Sequence, residues 1–155
     1  MRIGELPYSR LVATKLGEYR RLLVASPDYL RIAKPLASPQ DLAMHTCILY
    51  TGVDAAHRWK FEGPGGARAT IEVAGNFRSN SSQAMRAAIL SGLGIGFVPE
   101  LLIGDDLQHG ALVEPLPSWR GVAQPIHALT PTHRRRSAKA RAFVEHLRVF
   151  LHKMC

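Results

Sequence analysis

The sequence predicts an α/β fold in which short helices alternate with buried strands. Three observations support this class. One stretch, Asn76–Pro99, contains a polar helix start, a helix, its stop and an apolar strand in direct succession. Strand-like and helix-like patterns also alternate along the rest of the chain, which favours a sheet with parallel components. Finally, the chain has 155 residues of which 46% are apolar, enough for one well-buried core or two small lobes.

The first third of the chain contains two predicted strands and two predicted helices. The strands are Leu11–Leu16 and Arg21–Ala25, with a turn predicted at Gly17-Glu18. Each helix start combines a serine cap, a proline at the first helical position and an acid in the first turn. These starts are Ser26-Pro27-Asp28 and Ser38-Pro39-Gln40-Asp41, and they predict helices over 27–32 and 39–44.

A strand at Cys47–Tyr50 and a β-hairpin come next. The hairpin strands are Arg58–Glu62 and Arg68–Ala74, in which polar and apolar residues alternate on either side of a Gly-Pro-Gly-Gly turn. The pattern therefore predicts three strands in this part of the chain.

The stretch Asn76–Pro99 contains, near its start, four residues whose side-chain oxygens can accept hydrogen bonds from the first N–H groups of a helix, namely Ser79, Asn80, Ser81 and Ser82. Such a start can also bind an anion, because free N–H groups and the positive end of the helix dipole converge there. Helical spacing follows in Met85, Ala88, Ile89 and Gly92. Gly92 fits the left-handed residue that ends a helix, and 93–98 is predicted as a buried strand.

The last third predicts a helix over 100–108, a break at Gly110, strands at 112–116 and 125–129, and a linker between those strands. A final helix is predicted to begin after Ser137. Its apolar face is predicted to contain Phe143, Val144, Leu147, Phe150 and Leu151.

The net charge of +8 is concentrated at the two ends of the sequence. A basic surface is typical of nucleic-acid binding, but His133-Arg134-Arg135-Arg136 has no interleaved aromatic residue and directly precedes a helix. We interpret this run as a solvated loop. Cys47 and Cys155 do not form a disulfide framework, and no apolar run suits a membrane span or a secretion signal, so the cytoplasm is the expected location.

Patterns for enzymatic chemistry are weak. Gly92-x-Gly94-x-Gly96 lies between a helix and a strand, the reverse of the dinucleotide-binding order. The seven histidines show no zinc-ligand spacing, and the serines have no evident His/Asp partner. Asp105-Asp106 is interpreted as a pair on a helix surface. We therefore expect no catalytic residues, no metal and no cofactor.

The order of several motifs resembles the effector-binding domain of LysR-type transcriptional regulators. The polar helix start and the Gly92-Leu93-Gly94-Ile95 to Val98-Pro99 ending carry this resemblance. Three further segments agree with it in the same order: 2–6 (Arg-Ile-Gly-Glu-Leu), 23–30 (Leu-Val-Ala-Ser-Pro-Asp-Tyr-Leu) and 125–129 (Pro-Ile-His-Ala-Leu).

The resemblance implies a two-lobed fold like that of the type 2 periplasmic binding proteins, crossed twice by the chain, with ligand in the cleft. Residues 1–26 and 123–155 are then expected to form an incomplete first lobe and residues 27–122 the second lobe. The winged helix-turn-helix DNA-binding domain of the family is expected to be absent, so that DNA is a partner only through that missing part.

The resemblance also implies an effector site. Asn80 and Ser81 would bind a carboxylate or phenolate, with Ser79 and Ser82 in the same cleft wall. The opposite wall and the hinge would contain Arg2, Gly4, Glu5, Phe97, Val98 and Thr130, and Arg21 would be a counter-ion. The expected ligand is a small aromatic or aliphatic carboxylate.

The implied function is therefore ligand sensing within a transcriptional regulator, with no catalysis. The alternative is a stand-alone small-molecule binding module of the periplasmic-binding type. We also expect the chain to form a homo-oligomer, because an incomplete lobe exposes sheet edge and apolar surface.

Overall fold

Strands and short helices alternate along the chain in the computed structural model, which describes residues 2–3, 11–52, 56–131 and 137–154. Three short 3₁₀ helices, at Pro39–Met44, Pro64–Gly66 and Glu100–Leu102, accompany the main elements. In chain order the main elements are β1 (Arg2–Ile3), β2 (Leu11–Tyr19), β3 (Arg21–Val24), α1 (Pro27–Ile32), β4 (Cys47–Tyr50), β5 (Arg58–Glu62), β6 (Arg68–Glu72), β7 (Arg78–Ser79), α2 (Ser82–Leu90), β8 (Ile95–Pro99), α3 (Gly104–Gln108), β9 (Arg120–Gly121), β10 (Gln124–Pro131) and α4 (Ala138–Met154).

The chain divides into two units. Unit 1 contains Met1–Tyr19 and Ala123–Cys155, and unit 2 contains Arg20–Val122. The sequence interpretation had assigned residues 20–26 to the first lobe. They lie in unit 2, because β3 pairs along its whole length with β8, Arg21 opposite Pro99 and Val24 opposite Gly96.

Unit 2 is built on a four-stranded sheet with the order β3-β8-β4-β7. β4 runs parallel to both β8 and β7, whereas β3 is antiparallel to β8. Successive residues of β3, β4 and β8 belong alternately to two buried apolar clusters, as expected when successive side chains point to opposite faces. The sheet is therefore buried on both faces, and the predicted α/β class with parallel strands is confirmed.

Helix α2 covers one face of this sheet and begins and ends as the sequence predicts. Met85, Ala88 and Ile89 form its buried face. The chain leaves the helix through Gly92, whose φ is 75°, the left-handed conformation that costs glycine little. Strand β8 begins at Ile95 rather than at the predicted residue 93, since Leu93 and Gly94 still belong to the turn.

The two serine-proline helix starts also form. Ser26 accepts a hydrogen bond from the N–H of Tyr29 at the start of α1. Asp41 accepts bonds from the N–H and the hydroxyl of Ser38, at 2.8 and 3.0 Å, in a capping box. The second of these helices, Pro39–Met44, is a 3₁₀ helix.

The predicted hairpin is present as β5 and β6, paired antiparallel from Arg58↔Glu72 to Glu62↔Arg68. β9 extends this sheet on the other side of β5, although the sequence around it was interpreted as a linker. The sheet contributes Trp59 and Phe61 to the apolar cluster that also contains Phe97.

Unit 1 contains a separate three-stranded sheet, with the order β1-β10-β2, and the helix α4. Leu16, Tyr19, Ile126, Ala128 and Leu151 are its buried apolar side chains among the residues the structure describes.

The helix predicted over 100–108 is divided at Ile103 into the 3₁₀ helix Glu100–Leu102 and α3. Two further sequence predictions of local structure are wrong. The predicted turn at Gly17-Glu18 is part of β2, which stays paired with β10 to Tyr19 because a bulge opposite Ile126 and His127 accommodates one extra residue. The segment 112–116 is not a strand. Its backbone pairing is a single bridge, in which Val113 and Ala25 exchange two hydrogen bonds.

Two predictions of side-chain environment also fail. Phe143 and Phe150 of α4 are 63% and 53% exposed, so the predicted apolar face is buried mainly through Leu151. Asp106 is not a surface residue. It is 6% exposed and accepts two hydrogen bonds from Arg86 at 2.5 and 2.6 Å, which tie α3 to α2. The hydrogen bond to Asp106 raises the pKa of the Arg86 guanidinium.

Candidate ligand-binding site

The predicted polar helix start lies at an edge of the unit 2 sheet, where strands β4 and β7 end. These strands are parallel, with Tyr50 opposite Ser79, and the N–H of Thr51 donates to the Ser79 carbonyl at 2.9 Å. In open α/β sheets the carboxyl ends of parallel strands are the usual place for ligands. Both strands therefore deliver their next residues, Thr51 and Asn80, to this edge.

Helix α2 begins directly after this strand end. Ser81 is its N-cap residue and accepts a hydrogen bond from the N–H of Ala84 at 3.3 Å. The N–H of Ser81 in turn donates to the hydroxyl of Ser79 at 3.0 Å. These two serines therefore hold the helix start in place.

Two N–H groups in the first turn are left for another acceptor. Within the described part of the chain, the N–H groups of Ser82 and Gln83 donate to no protein acceptor. Asn80 is exposed, and its side-chain amide has no protein partner among the described residues. The first turn of α2 has no acidic side chain, so no carboxylate of its own sequence satisfies these donors.

Phe97 and Val98, predicted to line the cleft, lie in the core of unit 2, with 7% and 1% of their surface exposed. The Phe97 ring lies 5.3 Å from Trp59 and 4.8 Å from Phe61, measured between ring centroids. The Arg21 guanidinium carbon is 6.0 Å from the Phe97 ring centroid. Arg21 and Phe97 are therefore close enough for a cation–π interaction.

The remaining predicted residues belong to unit 1. Arg2 is in β1, opposite His127 of β10, and Thr130 is half-buried in β10, opposite Val12. Gly4 and Glu5 lie outside the described residues, as do His133–Arg136 and Cys155.

Sequence reasoning missed Thr51 and the neighbouring Tyr50 at the strand end. Their position at the end of a predicted buried strand could have indicated a ligand site, but the sequence does not show which strands run parallel. The Tyr50 ring lies against Gly52, where an added Cβ would come within 2.6 Å of the ring atoms.

Within its described residues the structure contains no metal-ligand cluster, no reactive thiol and no membrane-spanning helix. No cluster of three or more His, Cys, Asp or Glu residues in the described ranges is arranged to hold a metal ion. Cys47 is fully buried, and desolvation raises the pKa of its thiol to about 12. None of the helices in the described residues has both the length and the apolarity that a bilayer crossing requires.

Comparison with known proteins places the chain in one family. The model of the LysR substrate binding domain matches residues 1–151. The HTH-type transcriptional regulator PtxR of Pseudomonas aeruginosa is 35% identical over 151 residues, which cover 97% of this chain and 48% of PtxR.

Solved structures agree with this match. The full-length virulence activator AphB of Vibrio cholerae, a member of the LTTR family, has a TM-score of 0.80 and 27% identity, over 96% of this chain and 50% of AphB. The regulatory domain of CrgA from Neisseria meningitidis, a LysR-type transcriptional regulator, has a TM-score of 0.81 and 26% identity, over 96% of this chain and 72% of that domain. The chain spans about half the length of the curated relatives it matches.

Proposed function

Because the chain belongs to the LysR substrate-binding domain family, we propose that it binds a small-molecule effector at the start of α2 and so sets the conformation of a transcriptional regulator. The fold is that of the LysR regulatory domains, which is like the type 2 periplasmic binding proteins. The observation that supports the site is the pair of free N–H groups at Ser82 and Gln83, placed at the carboxyl end of a parallel strand pair.

The proposed effector is a small aromatic or aliphatic carboxylate. A carboxylate has the charge that the positive end of a helix favours, and its two oxygens can accept from the two free N–H groups. Asn80 supplies an exposed side-chain donor beside them. The hydroxyls of Ser79 and Ser81 accept backbone hydrogen bonds that stabilise the turn.

The other predicted site residues remain part of the proposal, but in different roles. Phe97 and Val98 act from the core, by supporting the end of β8, and Arg21 acts through its contact with Phe97. Arg2, Gly4, Glu5 and Thr130, which belong to unit 1 by sequence, remain proposed effector-binding residues.

The regulator acts by a shift between conformations, which requires that the effector binds them with different affinity. The curated relatives are transcriptional regulators, and we propose that this chain catalyses no reaction. We further propose that it acts in the cytoplasm as part of a homo-oligomer and that a DNA-binding domain of the regulator reads the operator.

A thermal melt with a panel of aromatic and aliphatic carboxylates tests the proposal. A ligand present at about 100 times its dissociation constant stabilises the native state by about 2.7 kcal/mol, which is a readily measured shift. We expect one chemical group within the panel to raise the melting temperature. A panel in which no compound raises it would contradict the carboxylate assignment.

Two variants at Ser82 then locate the site. Ser82→Pro removes one free N–H and should preserve the start of the helix, because proline is favoured at the first helical position. The residue before it, Ser81, has a φ of −100° and a ψ of 117°, which suit a residue that precedes proline. Ser82→Ala is the matched control that keeps the N–H. Losing a charge-assisted hydrogen bond costs about 1.5–3 kcal/mol, so Ser82→Pro should bind the active compound roughly 10- to 150-fold more weakly than Ser82→Ala. Equal affinity of the two variants would contradict the proposed site.

A further inference from the structure

Strand β6 forms one edge of the three-stranded sheet β6-β5-β9, which lies in unit 2. Its residues, Arg68–Glu72, pair with β5 on one side in continuous register. The other side of the strand faces away from the sheet. An edge of this kind presents backbone N–H and C=O groups that can pair with a further strand.

The hydrogen-bond pattern of the hairpin shows which backbone groups point outward. The N–H of Gly63 donates to the Ala67 carbonyl at 2.8 Å, which makes these two residues a hydrogen-bonded pair. In an antiparallel ladder such pairs alternate with pairs that exchange no bonds. The residues of β6 in the second kind of pair are Arg68, Thr70 and Glu72, so their N–H and C=O groups point away from β5.

These outward groups are free and the edge is unprotected. Across the described ranges, none of the three residues makes a backbone hydrogen bond at this edge, and all three are exposed. The strand contains no proline, lysine or bulge, which are usual devices against pairing at an edge.

The 3₁₀ helix Pro39–Met44 lies near β6 but packs on its apolar face. Leu42 of this helix belongs to the buried cluster against which Ala69 and Ile71 of β6 pack. Alternate residues of a strand point to opposite faces, so the exposed side chains of Arg68, Thr70 and Glu72 lie on the other face.

The sequence of the edge is complementary to itself. If a second copy pairs antiparallel about a two-fold axis at Thr70, this residue lies opposite Thr70 of the second copy, and Arg68 lies opposite Glu72. All three pairs then join outward-pointing residues, so each pair exchanges two backbone hydrogen bonds. Two of the pairs also bring opposite charges together, which stabilises cross-strand pairing. The result is a closed contact between two identical edges.

Other alignments are less favourable. A slip of one residue sets the outward-pointing groups against groups that already bond to β5, and it also exchanges the two faces of the strand. A parallel alignment in register sets Arg68 beside Arg68 and Glu72 beside Glu72, and like charges repel. The bonding pattern and the charges therefore favour one arrangement.

We propose that the edge of β6 is a docking surface for a second copy of this chain, which adds its own β6 antiparallel about Thr70. The inference deepens one part of the proposed function, the homo-oligomer, rests on that part alone and requires no effector. A pair of such short strands is smaller than a standard interface of about 1,200–2,000 Å², so we expect a weak dimer that forms at submillimolar concentration.

Cysteine cross-linking tests the register. In a Cys155→Ser background, in which Cys47 is fully buried, Thr70→Cys is oxidised at submillimolar concentration in a glutathione buffer. The Cα atoms of a hydrogen-bonded pair are about 5.5 Å apart, within reach of a disulfide. The matched control is Lys60→Cys, an exposed position directly opposite Thr70 on β5. Its two copies would lie three strand spacings apart, about 14 Å, so only Thr70→Cys should give a covalent dimer.

Charge exchange tests the pairing of the side chains. Arg68→Glu and Glu72→Arg each set like charges opposite each other in the homodimer, and each should weaken self-association by about tenfold in sedimentation velocity. An equimolar mixture of the two variants restores both pairs of opposite charge, so it should associate as the parent does. Lys60→Glu, the matched control, changes the net charge as Arg68→Glu does and should leave self-association at the parental level.

Cross-linking of both cysteine variants to the same extent, or of neither, would overturn the proposal, as would a mixture that associates no better than its components. Circular dichroism checks that each variant is folded, and if Thr70→Cys does not fold, the mixture decides alone. A chain that self-associates without any of these effects refutes the β6 edge and leaves the homo-oligomer standing. A chain that stays monomeric at submillimolar concentration refutes both.

Discussion

The packing of α2 on β8 allows one prediction to be worked out in detail. Ile89 is fully buried, and an added Cβ at Gly96 would overlap Ile89 Cδ1 and lie 2.8 Å from its Cγ1. The two positions therefore share one volume, and each should determine how the other can be substituted.

Ile89→Ala removes three buried carbon atoms. At roughly 0.8 kcal/mol for each buried CH₂ this costs about 2.4 kcal/mol, and the remaining cavity brings the loss of unfolding free energy to about 3–4 kcal/mol. Ile32→Ala is the matched control, because Ile32 is 85% exposed, and it should change stability by less than about 0.5 kcal/mol.

Gly96→Ala should cost about 1–3 kcal/mol by overpacking. In the double variant the new methyl group enters the space that Ile89 has left. We therefore expect the double variant to be about 1–2 kcal/mol more stable than the sum of the two single changes predicts.

Urea unfolding followed by tryptophan fluorescence measures these changes, since Trp59 and Trp119 both belong to unit 2. Strict additivity of the two substitutions would refute the shared volume. So would an equal loss of stability from Ile89→Ala and Ile32→Ala.

Three further predictions concern single groups. Ser81→Ala should cost about 1 kcal/mol in urea unfolding because it removes the N-cap of α2, and more than the C-cap substitution Ser91→Ala; equal effects would contradict the capping role. In a Cys155→Ser chain at pH 8, the thiol of Cys47 should react with a disulfide reagent only after unfolding, because burial raises its pKa to about 12; rapid labelling of the folded chain would contradict this. Hydrogen bonds from the backbone of Ser38, and then of Ala37, lower the pKa of Asp41, so its stabilising contribution is present above the unfolded-state pKa and is lost as the pH falls through the lower folded-state pKa. Asp41→Asn should therefore reduce the drop in melting temperature on acidification below about pH 4, and an unchanged drop would exclude this contribution.

Local signals predicted unit 2 well. The serine-proline starts, the left-handed Gly92 and the alternating hairpin each depend on a few neighbouring residues, and each formed where expected. The motif order also pointed to the correct family. These features could be predicted because short-range backbone preferences determine them.

The failures depend on contacts between distant residues. β2 continues through Gly17 because β10 pairs with it, and Asp106 is buried because Arg86 of another helix meets it. The spacing of Phe143 and Phe150 gave the helix but not its buried face, since spacing alone does not show what a helix packs against. At the site, Thr51 could not be found before the parallel pairing of β4 and β7 was known.

The most direct test of the central claim is a titration of the ¹⁵N-labelled chain with the carboxylate panel, observed through its backbone amide resonances. If an effector carboxylate binds at the start of α2, the amides of Ser82 and Gln83 should show the largest shifts, and those shifts should saturate. Saturating shifts elsewhere with these two amides unmoved, or no saturating shift with any compound of the panel, would contradict the account.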